Sequence, residues 1–261
     1  MAEELDGENI IEGLNISRLV ANPRAYLEEL NADGKLAEAF PAFDRTKGVT
    51  QSPDKHAEGD VFIHTFMTLD LLDQETPSDR DFGPISDEHE RFLMLLALLY
   101  HDTGKRERNL LDRPDARVFH VPESIKHAQA DLAKYLSPQD LELVIEMINK
   151  HETLLDADHL SPKINRLHDN FALGGSTERG RTLLKFLECD LFGRRVSESH
   201  KHLLERADLL AARNIGLHRV VLEAEAQGVS FPVQHIGKET RARIKQLIDR
   251  VKDIKAPKSN E

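Results

Sequence analysis

Apolar residues recur three and four positions apart through most of this chain, and that spacing belongs to one face of an α-helix. Val61 to Leu72, Glu88 to His101, Ile125 to Leu136, Pro138 to His151 and Thr182 to Leu191 all carry it. Leu203 to Asn214, Leu217 to Ala226 and Lys238 to Ile254 read as further, more polar helices. Ser137-Pro138 opens one segment with a capping hydroxyl and then Pro at the first helical position. No pair of alternating β-branched runs flanks a hairpin signal, and Pro232 interrupts the strand-like Val229 to Val233. Gly, Pro, Asp and Ser gather into loops at Thr46 to Gly59, Thr76 to Ser86, Asp112 to Ser124, Asp156 to Lys163 and Gly174 to Gly180. The expected architecture is all-α. One helical domain covers residues 50–215, an N-terminal helical extension over 1–49 packs on it, and C-terminal helices and a fraying tail fill 216–261.

Composition narrows the partners. With 35 Lys+Arg against 46 Asp+Glu, the net charge of −11 suits no protein that wraps a long polyphosphate backbone. The chain has no Trp and three Tyr, so platforms for stacking single-stranded bases are scarce as well. Long nucleic acid is therefore disfavoured, whereas a local basic pocket for one small phosphate is not. The longest apolar run, Phe92 to Tyr100, falls well short of the roughly 20 residues that span a bilayer, so no membrane partner is expected. The start, Met1-Ala2-Glu3-Glu4, lacks the features of an export signal, and one cysteine, Cys189, allows no internal disulfide. Both point to a cytoplasmic protein, in which the sequon Asn15-Ile16-Ser17 is a chance match.

The chemistry concentrates after the most apolar helix, in Leu95-Leu96-Ala97-Leu98-Leu99-Tyr100-His101-Asp102-Thr103-Gly104-Lys105. A His-Asp pair alone arises by chance, and His168-Asp169 in polar surroundings is such a pair. Beside a Leu-rich helix that ends in a Gly stop, a carboxylate needs a cation or strong donors, because burying it otherwise costs several kcal/mol. Other residues make the same demand. His64 lies within Val61 to Met67, and His151 continues the face of Val144, Met147 and Ile148. Asp190 follows Leu183 and Leu187, and His127 comes early in its helix, after Pro122. Any one of these alone is an ordinary core histidine or surface aspartate. Together they look like side chains converging from several helices on a divalent ion, which is how bundles build metal sites.

In that order, His64, His101-Asp102 with Gly104-Lys105, and Asp190 resemble the H…HD…D signature of the HD superfamily of metal-dependent phosphohydrolases. His56-Ala57-Glu58-Gly59-Asp60-Val61-Phe62-Ile63-His64-Thr65 is similar to the segment opening the HD domain of bacterial tRNA nucleotidyltransferases, the CCA-adding enzymes, with Ala57 in place of a Pro. Cys189-Asp190-Leu191-Phe192-Gly193-Arg194 is similar to that branch's Ala-Asp-x-x-Gly-Arg. The resemblance covers roughly residues 45 to 212. The Gly-Ser…Asp-x-Asp strand motif of the nucleotidyltransferase half does not occur in this chain, so only the hydrolase half is implied.

The resemblance implies an HD-type helical domain that holds a divalent metal (Mn, Ni, Mg, Co, Fe or Zn) with His64, His101, Asp102 and Asp190. Some branches add two histidines for a second ion. His127 and His151 stand in those places, and His120 competes with His127, so one ion and two both stay open. Asp102 would also orient the attacking water, and Lys105 and Arg194 would meet phosphate oxygens, although both also suit helix-end cations. His56 reads as a supporting or substrate contact, and Asp60 as a helix cap. Two decoys are set aside. Gly175 to Thr182 has P-loop spacing with Arg181 in place of the Lys, and Cys189 is rotated about 100° from the inward Asp190. The implied activity is hydrolysis of small phosphate esters, first 2′,3′-cyclic nucleotides, 2′-nucleotides and simple phosphomonoesters. The alternatives are another HD specificity, toward dinucleoside polyphosphates or nucleoside monophosphates, and a non-catalytic nucleotide sensor.

Overall fold

The computed structural model describes residues 10–11, 13–72, 85, 87–110, 120–154, 164–231 and 237–254. Its elements, in chain order, begin with a short antiparallel pair, β1 (Ile10–Ile11) and β2 (Leu14–Asn15). Helices follow: α1 (Ile16–Ala21), α2 (Pro23–Ala32), α3 (Leu36–Ala39), α4 (Pro41–Asp44), α5 (Val61–Leu69), α6 (Glu88–Tyr100) and α7 (Lys105–Leu110). Then come α8 (His120–Leu132), α9 (Pro138–Leu154), α10 (Ile164–Phe171), α11 (Gly180–Phe192), α12 (His202–Ala226) and α13 (Lys238–Lys252). The fold class is all-α, as expected. The one miss in class is the tiny hairpin, whose turn carries Gly13 at φ 81°, a conformation that glycine adopts without strain.

Local chemistry sets the helix starts. Asn15, Asn22, Asp60 and Asp87 each accept a hydrogen bond from a first-turn backbone N–H of α1, α2, α5 and α6. Asn15 is thus a cap, and its backbone N–H donates to the Tyr26 hydroxyl at 2.9 Å. Ser137 caps α9 through the Asp140 N–H, with Pro138 at the first helical position.

Burial explains the order of the layers. Every residue of α6 from Phe92 to Tyr100 is buried, as is every residue of α11 from Thr182 to Leu191. Helix α6 is apolar all round over this stretch and must lie inside. Helix α11 also buries Lys185 and Glu188, 3.4 Å apart as an ion pair. Helix α6 packs against α1, α4, α5, α8, α9 and α11, and α11 also touches α5, α9 and α12. The N-terminal helices share this core: Leu19, Leu27, Phe40 and Phe43 are fully buried. Asp131 of α8 ties them in, accepting from the Ala42 N–H at 2.8 Å and the Tyr100 hydroxyl at 2.9 Å.

Several boundaries differ from the sequence expectation. Helix α5 ends at Leu69 rather than Leu72, α8 at Leu132 rather than Leu136 and α9 at Leu154 rather than His151. Two further differences matter more. Helix α8 begins at His120 rather than Ile125. Pro122 lies in its first turn, where the N–H it lacks has no helical partner anyway. Helix α12 runs unbroken through Gly216, so the expected break and the boundary at 215/216 fall inside it. Gly216 is there for packing: a Cβ would come within 2.8 Å of Val251 on α13. Part of the strand-like Val229 to Val233 lies outside the described residues, and Val229 to Phe231 form no strand. The expected loops over 76–84, 112–119 and 156–163 also lie outside them. Among the described residues no helix is long and apolar enough to cross a membrane.

Candidate metal centre

Helices α5, α6, α8, α9 and α11 turn nitrogen and oxygen donors toward one interior point. His64 sits mid-α5, His101 caps the end of α6 with Asp102 beside it, His120 starts α8, His151 lies late in α9, and Asp190 lies near the end of α11. All six are buried. Their donor atoms form two trios, each within 4.8 Å: His64, His101 and Asp190, and then Asp102, His120 and His151.

In the first trio, Asp190 Oδ1 lies 3.3 Å from His64 Nε2 and 3.6 Å from His101 Nε2. In the second, His120 Nε2 lies 3.4 Å from His151 Nε2 and 3.4 Å from Asp102 Oδ1. Asp102 connects them, because its Oδ2 lies 3.3 Å from His101 Nε2 and 3.8 Å from His64 Nε2. One carboxylate thus shows an oxygen to each trio.

The donor chemistry fits a cation. His101 donates Nδ1–H to the Leu98 carbonyl at 2.8 Å, which leaves the Nε2 lone pair facing two carboxylate oxygens without a hydrogen bond. A lone pair aimed at anions is repulsive until a proton or a metal ion lies between them. Without metal the proton takes that place. Burial lowers the His101 pKa, but Asp102 and Asp190 outweigh it and raise it to about 10. His151 is arranged likewise, its Nδ1 donating to the Ile148 carbonyl at 2.6 Å.

The carboxylates are charged. Burial raises the Asp102 carboxyl, but Lys105 and His101 more than offset this and hold it well below the usual range. Asp190 behaves likewise under Arg194, His101 and His64. Lys105 Nζ lies 2.5 Å from Asp102 Oδ2 and 2.7 Å from Gln51 Oε1. Arg194 reaches Asp190 Oδ1 at 2.9 Å while also closing the α11 C-terminus through the Asp190 carbonyl. Arg194 therefore both closes the helix end and pairs with a carboxylate of the cluster.

His127 is not in either trio. Its Nδ1 lies 3.2 Å from the Thr103 hydroxyl and its Nε2 3.7 Å from Glu107, and it is only half-buried. Of the two histidines that compete for this place in the sequence, His120 is the one whose ring lies in a trio. The two are seven residues apart, so they share a helix face about 10 Å apart along the axis. Periodicity selects the face; only packing selects the depth. Gly104 makes the choice, since a Cβ on it would come within 2.1 Å of the His120 carbonyl oxygen and 2.7 Å of the Ser124 nitrogen. Its lack of a side chain brings α8 against the end of α6, which a helix-stop reading does not convey.

Other residues take supporting places. Asp60 caps α5 and holds the Gly48 N–H at 3.0 Å. His56 is buried against Glu58, and burial lowers its pKa to about 4. Glu58 was not singled out by sequence; the only signal was its place in the His56-to-Asp60 run. Cys189 faces the core with its thiol pushed up to about 12 by burial, an inert packing group. In the P-loop-like segment, Thr177 and Thr182 hydroxyls donate to Glu225 and Glu90, so the segment serves as a helix-start linker. His168 stacks on Phe231, with ring centroids 4.2 Å apart.

An all-α protein with a buried imidazole–carboxylate cluster suited to a divalent ion is what the fold and site define. Over 256 residues the chain is 28% identical to the Multifunctional CCA protein of Dechloromonas aromatica, covering 95% of this chain and 57% of that protein. Over 238 residues it is 26% identical to the Multifunctional CCA protein of Leptothrix cholodnii, covering 86% of this chain and 52% of that protein. The chain spans about half the length of the curated relatives it matches. No family model and no solved structure matches it.

Proposed function

We propose that this chain is a metal-dependent hydrolase of small phosphate esters, with nucleotides (2′,3′-cyclic, 2′-phosphorylated or simple monoesters) as its first substrate class. One observation carries the reading. Six buried donors converge in two trios that Asp102, a member of the second, bridges through its other oxygen, and the cations Lys105 and Arg194 rest on the carboxylates of both. The similarity to proteins named for CCA supports a nucleotide as the phosphate carrier.

His64, His101, Asp190 and Asp102 would hold one ion, and Asp102, His120 and His151 a second. A divalent ion bound there lowers the pKa of its water from 15.7 toward about 7 and neutralises phosphoryl oxygens. Asp102 orients the attacking water, since its two oxygens face the two trios. Lys105 and Arg194 meet the negative phosphoryl oxygens and stabilise the charge that grows on them in the transition state. The buried surroundings strengthen each of these contacts by excluding bulk water.

The test is metal analysis of the purified protein. Phosphate release is then measured from 2′,3′-cyclic nucleotides, 2′-nucleotides and an aryl phosphate with added Mn²⁺, Ni²⁺, Mg²⁺ or Co²⁺. Turnover that needs metal and disappears in a folded Asp102→Ala variant is expected. Nucleotide binding without turnover under every metal would replace the enzyme with a sensor.

A further inference from the structure

Glu58 is a carboxylate whose side chain is fully buried, in a loop, with no Lys or Arg side chain bonded to it among the described residues. Burying such a charge is costly unless strong donors satisfy it. Its Oε1 lies 2.8 Å from His56 Nδ1 and 3.2 Å from His64 Nδ1, and its Oε2 accepts the Arg195 N–H at 2.9 Å. Backbone contacts hold it there. The Thr50–Asp60 bridge closes the loop, and the Ala57 N–H donates to the Arg195 carbonyl at 2.8 Å.

We infer that Glu58 is the positioning residue of the metal centre, fixing which nitrogen His64 offers and where the chain following Asp190 lies. The inference rests on the metal-centre reading above. His64 Nε2 faces Asp190 and Asp102 while Nδ1 faces Glu58. His64 Nε2 hydrogen-bonds to Asp190 Oδ1 at 3.3 Å. When that nitrogen ligates an ion instead, the ring N–H is left at Nδ1, which faces Glu58 Oε1 at 3.2 Å without a formed hydrogen bond. A carboxylate behind a ligand histidine also raises its basicity and locks the ring plane. Through Oε2 the same group anchors Arg195, next to Arg194, whose guanidinium reaches Asp190 Oδ1 at 2.9 Å. One side chain thereby ties α5 to the end of α11, and two elements of the site keep their spacing.

His56, Glu58 and His64 donors also lie within 4.8 Å of one another, which is enough for an ion of their own. That arrangement would need the lone pair on His64 Nδ1 and would leave the N–H on Nε2 toward Asp190, so His64 cannot serve both places at once. Positioning and ligation by Glu58 therefore predict different stoichiometries.

The experiment uses the full chain as wild type, Glu58→Gln and Glu58→Ala, with folding checked by circular dichroism. Mn²⁺ binding is followed by calorimetry. Nitrogen-15 histidine spectra of the Zn²⁺-loaded protein, assigned with a His64→Gln variant, report the His64 tautomer. Expected are an Nδ1–H tautomer in wild type, its loss in Glu58→Ala, and its recovery in Glu58→Gln, which keeps an acceptor oxygen. Mn²⁺ affinity should fall about 10- to 100-fold in Glu58→Ala and less in Glu58→Gln, at unchanged stoichiometry. Unaltered affinity and tautomer in folded Glu58→Ala would overturn the inference, and a loss of one bound ion would overturn it by making Glu58 a ligand. A wild type that takes up no Mn²⁺ overturns the metal-centre reading itself, and this inference with it.

Discussion

The two donor trios use the same residue types and reach opposite charge states. In the first, His101 lies between Asp102 and Asp190 and has its pKa raised to about 10. In the second, His120 and His151 face each other near Asp102, and burial, aided by the neighbouring His101, lowers both, His120 to about 3. Two carboxylates can hold a proton on one buried imidazole. Asp102, already engaged by Lys105, does not outweigh burial for these two neighbouring rings. A buried histidine is therefore a cation or a neutral ligand according to the carboxylates it can reach, and the first trio must give up a proton to accept a metal ion.

The largest effect should come from Asp102, the group that bridges the trios. Asp102→Asn, which keeps the shape and removes the charge, should lower phosphate release on the order of 100- to 1000-fold. It should weaken metal binding at both trios, as read by calorimetry; loss at one alone would separate them. Next, His120→Ala should reduce the bound ions from two to one, whereas His127→Ala should leave the count unchanged by elemental analysis. Equal losses in both variants would return His127 to the site.

The trios can also be disturbed one at a time through glycines that hold helices close. A Cβ at Gly193 would come within 2.6 Å of the Thr68 backbone on α5, and one at Gly104 would press on α8. Gly104→Ala should weaken the second ion and spare the first, and Gly193→Ala should do the reverse. Overpacking of this kind costs about 1 to 3 kcal/mol, to be read from denaturant melts.

The smallest effects are protonic. Binding at pH 7 should release about one proton from His101, visible as calorimetric heats that follow the ionisation enthalpy of the buffer. The stability of the metal-free protein should fall on both sides of about pH 6.5, the unfolded histidine value. Above it, the raised pKa of His101 contributes stability that is lost as pH climbs through about 10. Below it, the lowered pKa values of His56, about 4, and His120, about 3, contribute stability that is lost as pH falls toward those values. His120→Ala should flatten the acid limb of a melting-temperature profile and leave the alkaline limb in place.

Much of this arrangement was legible before any coordinates. Asp190 and His151 were visible because each continues an apolar face, and His64 because its helix is apolar on nearly every side. His120 was harder to see. A proline two residues on made its segment look like loop, and His127 lies on the same face two turns away. Glu58 was hidden for another reason: a loop carboxylate has no periodicity, and only the fold brings His56, His64 and Arg195 around it.

From the sequence alone came the helical class, the caps and the helix faces that carry each donor, because these follow from residues a few positions apart. Tertiary packing decided how far along those faces the donors meet. Contacts such as Gly104 against His120 and Glu58 against His64 join segments separated in the chain, and their depth depends on volumes that no local pattern encodes. Charge state was decided there too, since the proton on His101 depends on an aspartate that arrives from α11.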